Sequence, residues 1–146
     1  MPDRVIVDAS VAAKIYFAEE FSGAAISALK LADGLIAPEL LFIEMASLAA
    51  KRVRRGTATL DEAAQAVSQV RSLLDEAVPM AGLAQRAFEL SAEHGVSAYD
   101  GSYLALADDR GLRVLTADFR LVRRAEACGL SHLIRPLGPT PDLHSA

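Results

Sequence analysis

Short aliphatic runs alternate along this chain with longer segments whose apolar residues recur every three to four positions. That alternation predicts short buried strands separated by helices, and therefore a parallel sheet with helices on its faces. Arg4–Asp8 (RVIVD) reads as the first strand, ending at an acid. A helix capped by Asp8 or Ser10 follows through Ile15, Tyr16 and Phe17; a second runs from Ser22 through Ile26, Leu29 and Leu31 to the Asp33-Gly34 break. Leu35–Ala37 is a brief buried strand, and Pro38 is expected at a helix start, where its missing N–H does no harm. The next helix spans Glu39–Arg55 and closes at Gly56. Thr59 and Glu62 spell a capping box ahead of Leu60, Ala63, Ala64, Val67, Val70 and Leu74 at helical spacing. Val78-Pro79-Met80 reads as an edge strand because of its proline, and Leu83–His94 as an amphipathic helix stopped by Gly95.

The segment Gly95–Gly111 (GVSAYDGSYLALADDRG) carries a complete helix with its punctuation. Ser97 is a good N-cap, and Asp100 three residues later is placed to reciprocate in a capping box. Tyr103–Ala107 is almost wholly apolar, which predicts burial on most sides; Arg110 suits the negative end of the dipole and Gly111 the left-handed stop. Beyond it come a strand at Arg113–Thr116, a helix capped by Ala117-Asp118 that runs to Ala127 and ends at Gly129, and a last strand near His132–Ile134. The proline-rich end has little to bury, so the expected organisation is one domain over residues 1–136 and a loosely ordered tail over 137–146.

Composition narrows the class. A chain of 146 residues with 52% hydrophobic and 23% charged residues is long enough for one proper core. Its single cysteine, Cys128, excludes an intrachain disulfide and suits a reducing cytoplasm. The start, MPDRVIVDAS, does not read as a signal peptide, and the longest apolar stretch, Leu40–Ala50, is interrupted by Glu44 and too short to span a bilayer. A soluble cytoplasmic protein with no membrane partner is expected. The net charge of −4 argues mildly against nonspecific nucleic-acid coating. Two basic clusters, Lys51, Arg52, Arg54, Arg55 and Arg120, Arg123, Arg124, favour arginine, whose fork suits phosphate; each also reads as a solvated helix end.

Four acids stand out by placement. Asp8 and Asp118 lie at or just past the carboxyl ends of predicted strands, where open parallel sheets bind ligands. Glu44 has Leu40, Leu41 and Leu48 as helical neighbours and no lysine or arginine within a turn, and Asp100 enters the first turn of the most apolar helix. Two carboxylates about 4 Å apart repel by about 4 kcal/mol at an effective dielectric near 20. Convergence of all four therefore calls for a hard cation, a protonated member or nearby arginines. Oxygen-only ligands select Mg²⁺ or Mn²⁺, and such an ion can activate water and orient a phosphate. Ser10 and Thr116, each two residues from an aspartate, are placed to hold water or a carboxylate beside the site, although both also read as ordinary caps. There is no His-Glu-x-x-His, no nucleophile elbow and no phosphate-binding glycine loop, and His94, His132 and His144 are scattered.

These motifs together resemble a known family. Ile6-Val7-Asp8-Ala9-Ser10, Glu44 in the helix after Pro38, Ser97-Ala98-Tyr99-Asp100 followed by Tyr103–Ala107, and Leu115-Thr116-Ala117-Asp118 with Leu121 behind are similar in order and spacing to PIN domains, more narrowly to the VapC-type toxins of toxin–antitoxin pairs. The likeness runs from about Val5 to Leu133. It implies a three-layer α/β/α sandwich around a short parallel sheet, and metal-dependent endoribonuclease activity by water attack on the phosphodiester. Asp8, Glu44, Asp100 and Asp118 would be the catalytic acids and the ligands of Mg²⁺ or Mn²⁺, with Asp8 and Asp100 the firmest. It further implies homodimerisation and a small antitoxin partner, with Lys51, Arg52, Arg54, Arg55 and Arg120 as RNA contacts. Two positions depart from the pattern: Ser47 replaces a frequent asparagine, and Gly101 stands where alanine is usual, at a helical cost of up to about 1 kcal/mol. A receiver-like signalling domain also uses acids and Mg²⁺ but needs a late lysine, and the only lysines are Lys14, Lys30 and Lys51. A catalytically silent PIN-like interaction protein is the remaining alternative.

Overall fold

A computed structural model describes residues 3–138. Five parallel strands, β1 (Arg4–Val7), β2 (Gly34–Pro38), β3 (Glu76–Val78), β4 (Val114–Thr116) and β5 (Ile134–Pro136), stand in the order β3-β2-β1-β4-β5. Helices α1 (Ala9–Tyr16), α2 (Ser22–Leu31), α3 (Leu40–Arg54) and α4 (Leu60–Leu73) connect the strands on one side of β1. The return to β4 and on to β5 carries α5 (Ala84–His94), α6 (Ala98–Arg110) and α7 (Phe119–Ala127). Parallel crossovers are right-handed, so reversing the direction of travel across the sheet transfers the helices to the opposite face. The cores obey this. Ile6, Ile36 and Val114 pack with α5, α6 and α7, whereas Val7, Ala37 and Leu115, one residue along each strand, pack with α1 to α4. Successive side chains point to opposite faces, and the register Ile6↔Ile36 and Ile6↔Val114 keeps each layer aligned. The expected α/β/α sandwich is thus present, with the reversal of strand order falling between β1 and β4.

Helix ends account for the placement of several polar groups. Asp8 caps α1 by accepting from the Val11 N–H, and Asp118 caps α7 by accepting from Arg120 N–H. Thr59 and Glu62 form both halves of their capping box on α4. At α6 only the Ser97 half forms: its hydroxyl accepts from Asp100 N–H at 3.0 Å, and the reciprocal bond from Ser97 N–H to the Asp100 carboxyl is not made. Gly101 to Ala107 are all buried, as the apolar middle of that helix predicts.

Three boundaries differ from the expected ones. Pro38 ends β2 rather than opening a helix; it sits opposite Val78, and Glu39 N–H takes up the pairing by donating to Val78 O. β3 lies before Pro79, at the sheet edge, and Met80–Leu83 form a turn of 3-10 helix instead of strand. The last strand begins at Ile134, with His132 inside a 3-10 turn. Leu137, assigned by the sequence to the tail, is buried, and its N–H donates to Thr116 O at 2.7 Å; the remainder of the expected tail, 139–146, lies outside the described residues. Among the described residues no helix is long and apolar enough to cross a membrane.

Candidate active site

Asp8 is the first residue past β1 and Asp118 the second past β4, so the two central strands deliver them to the sheet's carboxyl edge at the point where strand order reverses. A cross-strand clasp fixes them. Ser10 Oγ donates to Asp8 Oδ1 at 2.6 Å and accepts from Ala117 N–H at 2.9 Å. Thr116 Oγ1 donates to Asp8 Oδ2 and accepts from Asp118 N–H at 3.0 Å. Both hydroxyls therefore hold the Asp8 carboxylate while tying it to the backbone that carries Asp118.

Asp8 is buried, and burial pushes its carboxyl from 3.8 up to about 6 against the pull of the Ser10, Thr116 and Val11 hydrogen bonds, with the Asp118 charge adding to the rise. Glu44, on α3, is also raised by burial; the charges of Asp8 and Asp100 push it further, while the Tyr103 hydroxyl, donating to Glu44 Oε1 at 2.6 Å, opposes them. Asp100 is raised by burial and by Asp118, with Ser97 and the Arg124 charge lowering it. The four acids thus act on one another from the N-caps of α1 and α7 and from within α3 and α6. Among the described residues none of them is in an ion pair with a lysine or arginine.

Asp100 and Asp118 line a cleft of about 500 Å³ with Gly95, Ser97, Arg120, Leu121 and Arg124. Arg124 is held there by donating to Gly95 O at 2.8 Å. The remaining expected contacts lie elsewhere: Lys51, Arg52, Arg54 and Arg55 close α3, roughly two to three turns beyond Glu44, and among the described residues only Arg52 is engaged by neighbouring side chains. Ser47 is exposed on α3, and nothing in the structure ties it to the acids.

The donor set is all oxygen and carries more negative charge than its surroundings balance, which suits a hard divalent cation and not a soft one. The spacing is open: among the described residues, no three of the His, Cys, Asp and Glu side chains stand close enough to hold one ion as they are. In the sequence Tyr103 reads only as core. Its signal was available, because a tyrosine buried among aliphatic residues needs a partner for its hydroxyl. Arg124 had no such signal beyond its place in a basic cluster.

Residues 5–127 match the model of the PIN domain. The chain is 33% identical over 126 residues to Ribonuclease VapC3 of Pyrobaculum aerophilum, covering 85% of this chain and 96% of that one. The crystal structure of PAE2754 from Pyrobaculum aerophilum superposes with a TM-score of 0.69 at 20% identity, over 93% of this chain and 84% of the other. A toxin–antitoxin complex from Klebsiella pneumoniae contains a chain with a TM-score of 0.65 at 14% identity, over 92% of this chain and 98% of the other.

Proposed function

This chain belongs to the PIN-domain family, and from that membership we propose that it is an endoribonuclease of the VapC kind, the toxin of a toxin–antitoxin pair. The observation that carries the reading is the group of Asp8, Glu44, Asp100 and Asp118, mutually repelling and without an arginine or lysine pairing any of them among the described residues. Burial and neighbouring charge raise the proton affinity of Asp8, Glu44 and Asp100, and a divalent cation stabilises carboxylates in such a setting.

Mg²⁺ or Mn²⁺ is the proposed ion, with these four carboxylates as its holders; when bound it supplies an acidified water and a counter-charge to the phosphate. The chain's own residues do the rest. Ser10 and Thr116 keep both Asp8 oxygens ionisable and oriented, Tyr103 fixes Glu44, and Arg120 and Arg124 meet the phosphates of an RNA strand entering the cleft beside Asp100 and Asp118. Lys51, Arg54 and Arg55 extend the basic surface along α3. An antitoxin and a second copy of the chain are the proposed protein partners, and the cytoplasm the proposed compartment. Ile43, Leu60, Phe88 and Tyr99, each 63–72% exposed, give them apolar surface to cover.

EDTA is expected to lower cleavage of single-stranded RNA by the purified chain about 100-fold or more, and excess Mg²⁺ or Mn²⁺ to restore it. Undiminished cleavage in chelator removes the ion from the mechanism. No cleavage with any divalent ion removes the nuclease and leaves a silent PIN protein.

Tyr103→Phe keeps the core packing and deletes one charge-assisted hydrogen bond, so kcat/KM should fall about 10-fold with the fold retained. Wild-type kcat/KM in that variant means that Glu44 is positioned by something else.

A further inference from the structure

Lys14 belongs to none of the motifs considered above, yet it is the most constrained lysine near the acids. It lies on α1 six residues past Asp8, about 9 Å along the helix axis, and Arg52 lies on α3 eight residues past Glu44, about 12 Å along its axis. The two helices pack on the same face of the sheet, so each presents first an acid and then a cation. Lys14 Nζ sits 3.1 Å from Glu19 Oε1, and Arg52 pairs with Glu19 Oε2. Their side chains are only 12% and 26% exposed, which is unusual for cations with a single carboxylate bridging them.

Aromatic faces complete the setting. The Arg52 guanidinium lies 4.7 Å from the centre of the Phe17 ring, and Lys14 Nζ lies 5.9 Å from that of Phe21. Phe21 adopts φ 66, ψ 13, and it is the one non-glycine residue with positive φ among those described. A bulky residue held in that region is strained, and strain of this kind persists where the surroundings impose it. Here it turns the loop between α1 and α2 so that Phe21 meets Lys14. Both cations are therefore fixed before any ligand arrives. The charges of exposed Glu20 and of Asp8 also act on Lys14.

We propose that Lys14 and Arg52 form a second phosphate-binding site for the RNA strand, occupied by the Glu19 carboxylate until a backbone phosphate displaces it. The proposal rests on the ribonuclease reading. A phosphate at the acids places another part of the same strand over this shelf, where it replaces one oxyanion by another and loses little in electrostatics. Glu19 keeps two like charges together in the free protein and weakens RNA binding by competing for them.

The test uses the full chain and a single-stranded RNA oligonucleotide. Binding is measured in EDTA across a series of NaCl concentrations, and cleavage with Mn²⁺. Lys14→Met keeps the apolar stem and is expected to weaken binding five- to tenfold, to reduce the slope of log K against log salt by about 0.7, and to raise KM more than it lowers kcat. Glu19→Gln is expected to tighten binding severalfold, which a merely structural role for Glu19 would not do. Wild-type affinity and salt slope in Lys14→Met, or weaker binding in a folded Glu19→Gln protein, overturns the proposal even if the wild type cleaves RNA. A wild type that neither binds nor cleaves RNA overturns the ribonuclease reading itself.

Discussion

Asp8→Asn is expected to abolish RNA cleavage and, in the same protein, to raise the melting temperature of the metal-free chain at neutral pH. The first effect follows from removing a charge from the proposed ion site, a loss of several kcal/mol in the transition state and so about 10³-fold in rate. The second follows from the carboxyl's raised proton affinity, about 6 in the folded protein against 3.8 as an ordinary aspartate. Between those values the folded state holds a proton that the unfolded chain has released. Stability conferred at low pH is therefore lost as pH rises from about 4 to 6, and the full penalty, roughly 3 kcal/mol, stands at higher pH. Glu44 and Asp100 are raised too and act in the same direction. Asparagine fills the same space and never ionises, so in EDTA its melting temperature should exceed the wild type's at pH 7.5 by about 5–10 °C, and the two should converge near pH 4. A variant that melts lower than wild type at pH 7.5 contradicts the strained carboxylate. One that still cleaves RNA contradicts its role.

Gly101→Ala should destabilise the protein, although helix propensity alone argues for a gain of about 0.5–1 kcal/mol. A Cβ at that position lands 2.9 Å from Ala87 O and 3.3 Å from Ala87 Cα. Both are main-chain atoms of α5 and cannot swing aside, so α5 and α6 must part at a cost of about 1–3 kcal/mol. The expected net loss is about 1–2 kcal/mol, read as a lower denaturation midpoint. Asp100 precedes Gly101 in the same turn, and its displacement should cost cleavage on the order of 10-fold or more. Gly82→Ala is the control, because a Cβ there meets nothing within 4 Å. Equal stability of Gly101→Ala and wild type would mean that the two helices are not packed this closely. The departure from the usual alanine, which reads in sequence as a weak first turn, is in the structure a close helix contact.

The local features were the readable ones. The Thr59–Glu62 box, the caps at Asp8, Ser97 and Asp118, and the buried face of α6 formed as their residue types require, because each depends on neighbours within one helical turn. Boundaries at prolines were misplaced by one or two residues. Pro38 is compatible with a strand end as well as a helix start, and only its pairing with β3 decides between them.

By itself the sequence determined the element order, the parallel α/β class and the four acids as candidates, since periodicity, capping and the isolation of a carboxylate among aliphatic residues are short-range facts. Tertiary structure alone decided the partners. Thr116 closes on the Asp8 carboxylate across 108 positions of chain, Ser10 meets the Ala117 N–H across 107, Tyr103 reaches Glu44 across 59, and Gly101 is required by a helix that begins earlier in the sequence. Such contacts arise where strands β1 and β4 lie side by side and α5 meets α6. No periodicity encodes which distant side chain will fill the space that those packings leave.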